Sequence, residues 1–222
     1  MPLGIHARKT PMEILKIGKY HIRPIVVVVP ELQERTRFIE GELLKNGIKP
    51  DLFWGFSSAL SGLKTEHAYE VDNPGSGWKI GSKEVCTWIT FYSLWQTMSF
   101  LPDQYFLQLE WDAKFHDDWR KKAELAMASV PADFDMLYLG SCCTEDKVKN
   151  KIAGNVYSVE WPCCGHAVVI AKKCLRKLLS TQRKVYAPLD LSLIFHTFRQ
   201  TGMKVYTVLP RIADQFSTDL KP

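Results

Sequence analysis

The sequence predicts an α/β fold: a single domain built on an open, twisted and mostly parallel sheet with helices on both faces. Short apolar runs alternate with segments of helical periodicity along most of the chain, as they do in units of strand, helix and strand. The run Ile25 to Val29 is continuously apolar, which is typical of a strand buried on both faces. A chain of 222 residues, 46% of them apolar, is long enough for one large domain with a sizeable core.

The first strand, helix and strand are predicted in the first quarter of the chain. The first strand ends at Pro30, Glu31 to Asn46 is predicted to be helical, and Leu52 to Trp54 forms the next strand. Such a connection crosses over right-handed and leaves a ligand crevice outside the carboxyl ends of the strands. We therefore expect a ligand site near Pro30 and near Gly55 to Ser58, with Pro30 as a candidate ligand contact.

The remaining elements continue the alternation. Residues 61–82 are rich in Gly, Ser, Asn and Pro and are predicted to be a long loop, whose segment Asn73 to Gly81 is expected to close over a bound ligand. Glu84 to Leu101 is the longest predicted helix, and its aromatic stripe is expected in the core. The later predicted elements are strand Tyr105–Leu109, a helix through Trp119–Met127, strands Asp135–Leu139, Val156–Val159 and His166–Ile170, helices at Leu175–Leu179 and Leu191–Arg199, and strand Lys204–Leu209.

Composition excludes several classes of protein. There are 29 Lys and Arg against 24 Asp and Glu, a net charge of +5, which permits a polyanionic partner but is well short of a dedicated nucleic-acid binder. No apolar run reaches the roughly 18 to 20 residues that a membrane helix needs. Residues 1–22 are expected to be a polar leader without a secretory signal, and residues 23–218 the folded domain, in the cytoplasm.

The six cysteines include the adjacent pairs Cys142-Cys143 and Cys163-Cys164. Neither pair has the C-x-x-C spacing of a zinc site. Because the cytoplasm is reducing, the sequence favours free and mostly buried thiols.

Glu110 and Asp112 directly follow the predicted strand Tyr105–Leu109. Carboxylates at positions i and i+2 of an extended chain project to the same side and can converge on one hard cation. Such a cation clamps a diphosphate, neutralises its charge and makes it a better leaving group. The alternative is that the two acids form a solvated turn or cap the next helix. Their place at the expected ligand edge of the sheet favours the metal site.

Six segments of the chain match, in order, the motifs of one known family. The segments are Val28–Arg37 with its Glu34-Arg35 pair, Leu107–Phe115, Asp133–Gly140, Gly165–Ile170, Pro188–Asp190 and Pro210–Ser217. They resemble the first strand and "E-R" turn, the "I/L-L-E-D-D-A" segment, the "W-D-x-x-x-L-G" and "G-x-x-A-Y-V-I-S" strands, the "P-V-D" turn and the closing "P-x-x-x-x-Q-x-S" stretch of glycosyltransferase family 25. That family includes lipooligosaccharide-synthesis and collagen-modifying enzymes.

The resemblance implies a GT-A-type fold, a nucleotide-sugar donor such as a UDP-sugar, a divalent cation (Mn²⁺ or Mg²⁺), and transfer with inversion to an acceptor hydroxyl. Glu110 and Asp112 would hold the cation, and Glu110 would also contact the donor. Asp190 matches the acid of the "P-V-D" turn and is the candidate general base. Its alternative role is the N-cap of the helix Leu191–Arg199.

Two positions depart from the family pattern. Trp111 replaces the middle acid of the acidic triplet, and Thr90-Phe91 stand where the family has Ser-His. If the middle acid is a necessary ligand, metal binding is weak or absent. The retained E-x-D pair still has two acids, which favours metal binding.

Other charged residues have two interpretations each. Arg35 follows the first strand, where its guanidinium can contact the donor nucleotide or its phosphates, or else it is a solvated charge at the helix start. Asp117 and Asp118 fit the first turn of the following helix. His166 and His196 are candidates for metal or phosphate binding, or else structural, hydrogen-bonded residues.

The acceptor is left open by the sequence. Basic residues at Lys147 to Lys151 and Lys172 to Lys184 either form a solvated face or dock an anionic acceptor. A glycan is the acceptor that the resemblance implies, and a hydroxymethylated nucleic-acid base is the other option. The alternative to an enzyme is a non-catalytic module that binds a nucleotide-sugar or nucleic acid. The donor sugar and the oligomeric state stay open.

Overall fold

Residues 5–6, 13–29, 33–56, 80–142 and 148–216 are described by a computed structural model of the chain. Pro30, residues 57–79, Cys143 and Lys147 lie outside these described residues. The predicted ligand contact at Pro30 and the closing segment Asn73 to Gly81 therefore stay predictions.

Ten of the described strands form one open sheet. In chain order the strands are β1 (Ile5–His6), β2 (Leu15–Ile17), β3 (Tyr20–Val28), β4 (Asp51–Trp54), β5 (Tyr105–Leu109), β6 (Ala113–Phe115), β7 (Met136–Gly140), β8 (Val148–Ala153), β9 (Val156–Val159), β10 (Ala167–Ala171), β11 (Val205–Val208) and β12 (Ala213–Gln215). Across the sheet the order is β1-β4-β3-β5-β10-β7-β11-β9-β8, with β2 paired to β3. Strands β6 and β12 form a separate antiparallel pair.

Five strands of the sheet, β3, β4, β5, β7 and β11, run in the same direction. Strand β10 runs the opposite way between β5 and β7, and β9 is antiparallel to β11. The carboxyl ends of the five co-directional strands therefore lie at one edge, beside the amino end of β10. The predicted open α/β sheet is confirmed, with antiparallel strands that make it a mixed sheet.

Helices cover both faces of the sheet. They are α1 (Gln33–Lys45), α2 (Ser82–Phe100), α3 (Trp119–Ser129), α4 (Leu175–Thr181), α5 (Leu189–Ser192) and α6 (Arg199–Thr201), with a 3₁₀ turn at Lys172–Cys174 before α4 and a π-helical segment at Leu193–Phe198 between α5 and α6. The helix predicted at Glu84 to Leu101 is present as α2. None of the described helices combines the length and the apolar composition needed to cross a bilayer.

Alternation along the strands divides the core into two layers. In β3, Val26 and Val28 belong to the layer that contains α1 and α3, whereas Ile25 and Val27 belong to the layer that contains α2 and α4. All four valine and isoleucine side chains are buried. This explains why the run in the sequence is continuously apolar, since each face of the strand meets a different helical layer.

The segment expected to be a polar leader, residues 1–22, contributes to the sheet. Its β2 pairs with β3, with Leu15 opposite Ile22. Leu15, Ile17, Tyr20 and Ile22 are buried. The described residues of this segment from 13 onward are therefore part of the core rather than a separate leader.

Cys142 and Cys164 form a disulfide, with their Cα atoms 5.4 Å apart. The expectation of free thiols is therefore wrong for this pair, although Cys86, Cys163 and Cys174 are not in disulfides. The sequence did not reveal the pair because the partners lie 22 residues apart and meet only in the folded chain. Disulfides persist chiefly in oxidising compartments, so the cytoplasmic location stays a prediction.

Candidate active site

The predicted ligand edge of the sheet carries the candidate acids. Strand β5 ends at Leu109 and continues directly into Glu110 and Asp112. Asp190 lies in α5, far along the chain, yet its charge raises the pKa of Glu110. Glu110 donates its backbone N–H to His166, and Cys164, two residues before His166, donates to Asp190, so the fold brings the three candidate carboxyls to one edge.

A tight turn, rather than an extended strand, brings Glu110 and Asp112 together. The backbone N–H of Glu110 donates to the carbonyl of His166 at 3.0 Å, which continues the pairing of β5 with the chain before β10. The N–H of Ala113 donates to the carbonyl of Glu110 at 3.2 Å, closing a turn over Trp111 and Asp112. The strand alternation expected here from the sequence is therefore replaced by a turn.

Glu110 carries a strongly perturbed carboxyl. Burial, together with the charges of Asp112 and Asp190, raises its pKa from 4.5 to about 8. In the protein alone, the Glu110 carboxyl therefore holds its proton at neutral pH. Carboxyls perturbed by burial and by like charges are common at functional sites.

Asp112 is buried, and burial raises its pKa, while its own backbone N–H, the charge of Arg35 and a hydrogen bond from Gln215 lower it. The Nε2 of Gln215 donates to Oδ2 of Asp112 at 3.3 Å. The other oxygen, Oδ1, is buried and accepts no hydrogen bond from any residue that the structure describes. A buried carboxylate oxygen without a donor is unfavourable, and a bound cation would satisfy it.

Trp111 stacks against Arg35, whose guanidinium carbon lies 4.2 Å from the ring centroid. Both side chains are half-buried. Arg35 comes from α1, so this contact joins the helix after β3 to the acidic turn. Arg35 is therefore held beside Asp112, and it is not the freely solvated charge that was the alternative.

Asp190 is held by the loop that precedes β10. Its Oδ2 accepts the backbone N–H of Cys164 at 2.9 Å. The N-cap of α5 is Pro188, so the alternative role of Asp190 as an N-cap does not apply. Burial raises the pKa of Asp190, and the hydrogen bond from Cys164 lowers it. Among the described residues, none donates to the other oxygen, Oδ1.

Three residues of this edge were not singled out from the sequence: Gln215, Cys164 and Tyr138. Tyr138 is buried in β7, and its pKa is raised by burial and by charges that include those of Asp190 and Glu110. Gln215 and Tyr138 lie within segments that resemble family motifs, and that position was the available signal. Cys164 acts through its backbone N–H, which no side-chain pattern reveals.

A close contact at Gly140 shapes the same edge. A Cβ atom on Gly140 would lie 2.4 Å from Nε2 of His166 and 2.6 Å from the carbonyl oxygen of Ala213. The Nε2 of His166 lies 3.0 Å from that carbonyl and donates to it, which requires the proton on Nε2. Burial lowers the pKa of His166. His166 therefore links β10 to β12 as a neutral, structural side chain.

Two other candidates, Asp118 and His196, have their contacts with residues other than Glu110, Asp112 and Asp190. Asp118 is the N-cap of α3 and pairs with Lys122 at 2.9 Å. The ring of His196 stacks on Tyr186 with their centroids 4.0 Å apart. Asp117 is exposed. Asp117 and Asp118 therefore lie just before α3 and at its N-cap rather than in its first turn, whereas the stacking of His196 agrees with its structural interpretation.

The basic segment Lys172 to Lys184 divides into two groups. Its first three lysines have partners: Lys172 donates to the carbonyl of Leu101, Lys173 donates to that of Asp133, and Lys177 lies 3.0 Å from Oδ2 of Asp135. Arg176 and Arg183 are exposed and have no ion pair or hydrogen bond with the described part of the chain. Both line a groove of about 680 Å³ between α2 and α4, together with Tyr92, Lys172 and Lys173.

The acidic edge fits a divalent cation that arrives with a phosphate ligand. In the ranges that the structure describes, no group of three or more His, Cys, Asp or Glu side chains is arranged to hold a metal. Glu110 and Asp112 supply two carboxylates, and Oδ1 of Asp112 lacks a partner. Mg²⁺ commonly keeps several waters and uses only one or two carboxylates plus substrate phosphates, and carboxylate ligands suit Mn²⁺ as well.

No protein-family model and no curated protein sequence matches the chain. Among solved structures, the chain is similar to a glycosyltransferase involved in the glycosylation of the major capsid of PBCV-1, with 9% identity and a TM-score of 0.53 over 89% of this chain and 93% of that one. It is also similar to the inositol-1-phosphate CTP transferase of T. maritima, with 13% identity and a TM-score of 0.40 over 89% and 71% of the two chains. Mouse xyloside xylosyltransferase 1 matches with 8% identity and a TM-score of 0.39 over 84% of each chain.

The first of these likenesses shows the fold. The chain shares the architecture of that glycosyltransferase over most of both lengths, in agreement with the predicted GT-A-type class. The TM-scores of the other two matches, 0.40 and 0.39, are too low to show a shared fold.

Proposed function

We propose that the chain is a glycosyltransferase of the family 25 kind, which transfers a sugar from a nucleotide-sugar donor, in the first instance a UDP-sugar, to an acceptor hydroxyl. The observation that carries the proposal is that Glu110 and the loop holding Asp190 meet at the carboxyl edge of the sheet, through the hydrogen bonds from Glu110 to His166 and from Cys164 to Asp190. The fold supports it, since a glycosyltransferase matches 89% of the chain with a TM-score of 0.53.

Glu110 and Asp112 would hold a divalent cation, Mn²⁺ or Mg²⁺, with the diphosphate of the donor. When bound, the cation neutralises the diphosphate and makes it a better leaving group. Glu110 would release its proton as the cation binds, because a carboxyl ligand must be ionised. Arg35, which stacks on Trp111 beside Asp112, would donate its hydrogen bonds to a phosphate oxygen of the donor.

Asp190 would act as the general base. Its Oδ2 is held by Cys164, which leaves Oδ1 to accept the proton of the acceptor hydroxyl as the hydroxyl oxygen attacks the anomeric carbon. Attack from the side opposite the departing diphosphate inverts the configuration of the sugar. A glycan is the acceptor that the family resemblance implies.

The test is release of UDP from a panel of UDP-sugars with oligosaccharide acceptors, measured with and without Mn²⁺. Wild-type protein should release UDP only with the cation. Asp112→Ala and Asp190→Asn should each lower kcat/KM by about 100-fold or more. Asp117→Asn is the matched control, because Asp117 is an exposed acid near the motif, and it should keep the wild-type rate.

Two outcomes contradict the proposal. Unchanged activity in Asp112→Ala overturns the metal assignment. Stabilisation of the protein by UDP without turnover of any donor identifies a non-catalytic binding module instead.

A further inference from the structure

The Cys142–Cys164 disulfide connects the two halves of the proposed active site. The Sγ of Cys142 lies 3.8 Å from Oε1 of Gln215, and the amide of Gln215 donates to Asp112. At the other end of the bond, Cys164 donates its backbone N–H to Asp190. The disulfide therefore joins the segment beside the cation-binding acid to the segment that holds the candidate base.

Cys164 has a backbone conformation that residues other than glycine rarely adopt. Its φ is +59°, in the left-handed region, where a Cβ atom is crowded. Such a conformation persists only where the surroundings enforce it. Two contacts do so: the disulfide to Cys142, and a hydrogen bond of 2.8 Å from the N–H of Cys142 to the carbonyl of Cys163.

We propose that the Cys142–Cys164 disulfide is the positioning element of Asp190, so that only the oxidised chain holds this carboxylate in the geometry for proton transfer. The inference rests on the proposed function. A dithiol breaks the S–S bond by supplying two electrons and two protons, which leaves two thiols, and the dithiol closes to its own cyclic disulfide. Cys164 then leaves the left-handed region, and its N–H no longer reaches Asp190.

The effect falls on the chemical step more than on donor binding, because Gln215, which donates to Asp112, is also held by its pairing with Ala113 between β12 and β6. The disulfide holds the base, whereas the donor diphosphate is assigned to Glu110, Asp112 and Arg35. Dithiothreitol should therefore lower kcat by about tenfold or more, while KM for the donor changes by less than about twofold. Reoxidation with glutathione disulfide should restore kcat.

The decisive comparison is between wild-type protein and Asp190→Asn, each assayed oxidised and reduced. The residual activity of Asp190→Asn should not fall further on reduction, because the disulfide then has no base to position. If reduction lowers kcat equally in both proteins, the disulfide only supports the fold and the inference is wrong. Cys163→Ala removes the neighbouring thiol and keeps the disulfide, so it should retain the full dependence on dithiothreitol.

Hydrogen exchange of the peptide 161–166 separates this inference from the proposed function, because it needs no turnover. Exchange at the Cys164 amide should rise on reduction of the wild-type protein, and also in oxidised Asp190→Ala, which removes the acceptor of this amide. If this pattern is seen but no donor is turned over, the positioning contact stands and the proposed function fails. Turnover with no response of kcat or exchange to the dithiol overturns the inference, as does exchange that rises throughout the chain.

Discussion

Trp111 takes the position of a third acid in the resemblance to family 25, and its ring stacks on Arg35 beside Asp112. A third carboxylate at this position would add to the negative charge that already raises the pKa of Glu110. The stacked guanidinium does the opposite, because its charge lowers the pKa of Asp112. The substitution thus replaces one possible metal ligand with a fixed cation, which suits an anionic diphosphate.

Glu110 should make the stability of the metal-free protein depend on pH. Its pKa is 4.5 in an ordinary environment and about 8 in the folded chain. Between these values the folded chain keeps a proton that the unfolded chain has released, so stability falls as pH rises from 4.5 to 8 and then levels off. The cost above pH 8 is on the order of 2 to 5 kcal/mol.

Glu110→Gln should remove this dependence. In EDTA, urea unfolding should show the variant to be more stable than the wild type at pH 8.5, with the gap closing toward pH 4.5, since the wild-type carboxyl is then neutral in both states. Asp117→Asn, at an exposed site, should follow the wild-type curve. Parallel pH curves for wild type and Glu110→Gln would show that the carboxyl is not buried in the way described.

At the scale of single elements, the site depends on how closely β7, β10 and β12 approach. Strand β10 enters between β5 and β7 and places His166 against the carbonyl of Ala213. The approach leaves no room at Gly140, where a Cβ atom would lie 2.4 Å from the His166 ring. Backbone atoms of β12 cannot move away easily, because Ala213 pairs with Phe115 of β6.

Gly140→Ala should therefore destabilise the protein by about 1 to 3 kcal/mol, the usual cost of overpacking. Gly41→Ala is the matched control, since Gly41 lies on the exposed side of α1, where an added Cβ atom would have no neighbour within 4 Å. That change should be neutral or should stabilise by up to about 1 kcal/mol. Urea unfolding of the two variants measures the difference, and equal stabilities would contradict the packing described at this edge.

At the scale of the whole molecule, the net charge of +5 is less informative than its distribution. The groove between α2 and α4 is lined by Lys172, Lys173, Arg176 and Arg183 and by no acid. Two of these, Arg176 and Arg183, have no partner within the described ranges. This charge distribution suits the docking of an anionic acceptor that the basic segment suggested.

Arg176→Glu with Arg183→Glu should weaken binding of a sulfated heparin oligosaccharide by about tenfold or more, and should reduce its dependence on salt. The matched control is Arg37→Glu with Lys121→Glu, which makes the same change of net charge at two exposed positions outside the groove. Fluorescence anisotropy at two salt concentrations measures both. Equal losses in the two double variants would show that only the net charge matters.

Most strands of the main sheet and the longer helices were predictable, because each depends on local patterns, whereas β1, β2, β6, β8 and β12 were not expected. Ile25 to Val29 has the composition of a strand buried on both faces, and Glu84 to Leu101 has the period of a helix. The direction of β10 was not predictable, since a buried antiparallel strand between two parallel ones has the same apolar composition as a parallel strand. The family resemblance, and not periodicity, was what pointed to Asp190.

The sequence alone was enough to establish an α/β domain and the order of most of its central strands and helices, because burial and periodicity are properties of neighbouring residues. It also offered Glu110 and Asp112 as candidates from their place after a strand, and Asp190 from the family resemblance. Only the tertiary structure decided that Gln215 contacts Asp112, that Arg35 stacks on Trp111, and that the Cys142–Cys164 bond lies beside Asp190. These contacts join residues from distant parts of the chain. Their geometry depends on strand order and direction, which local patterns do not contain.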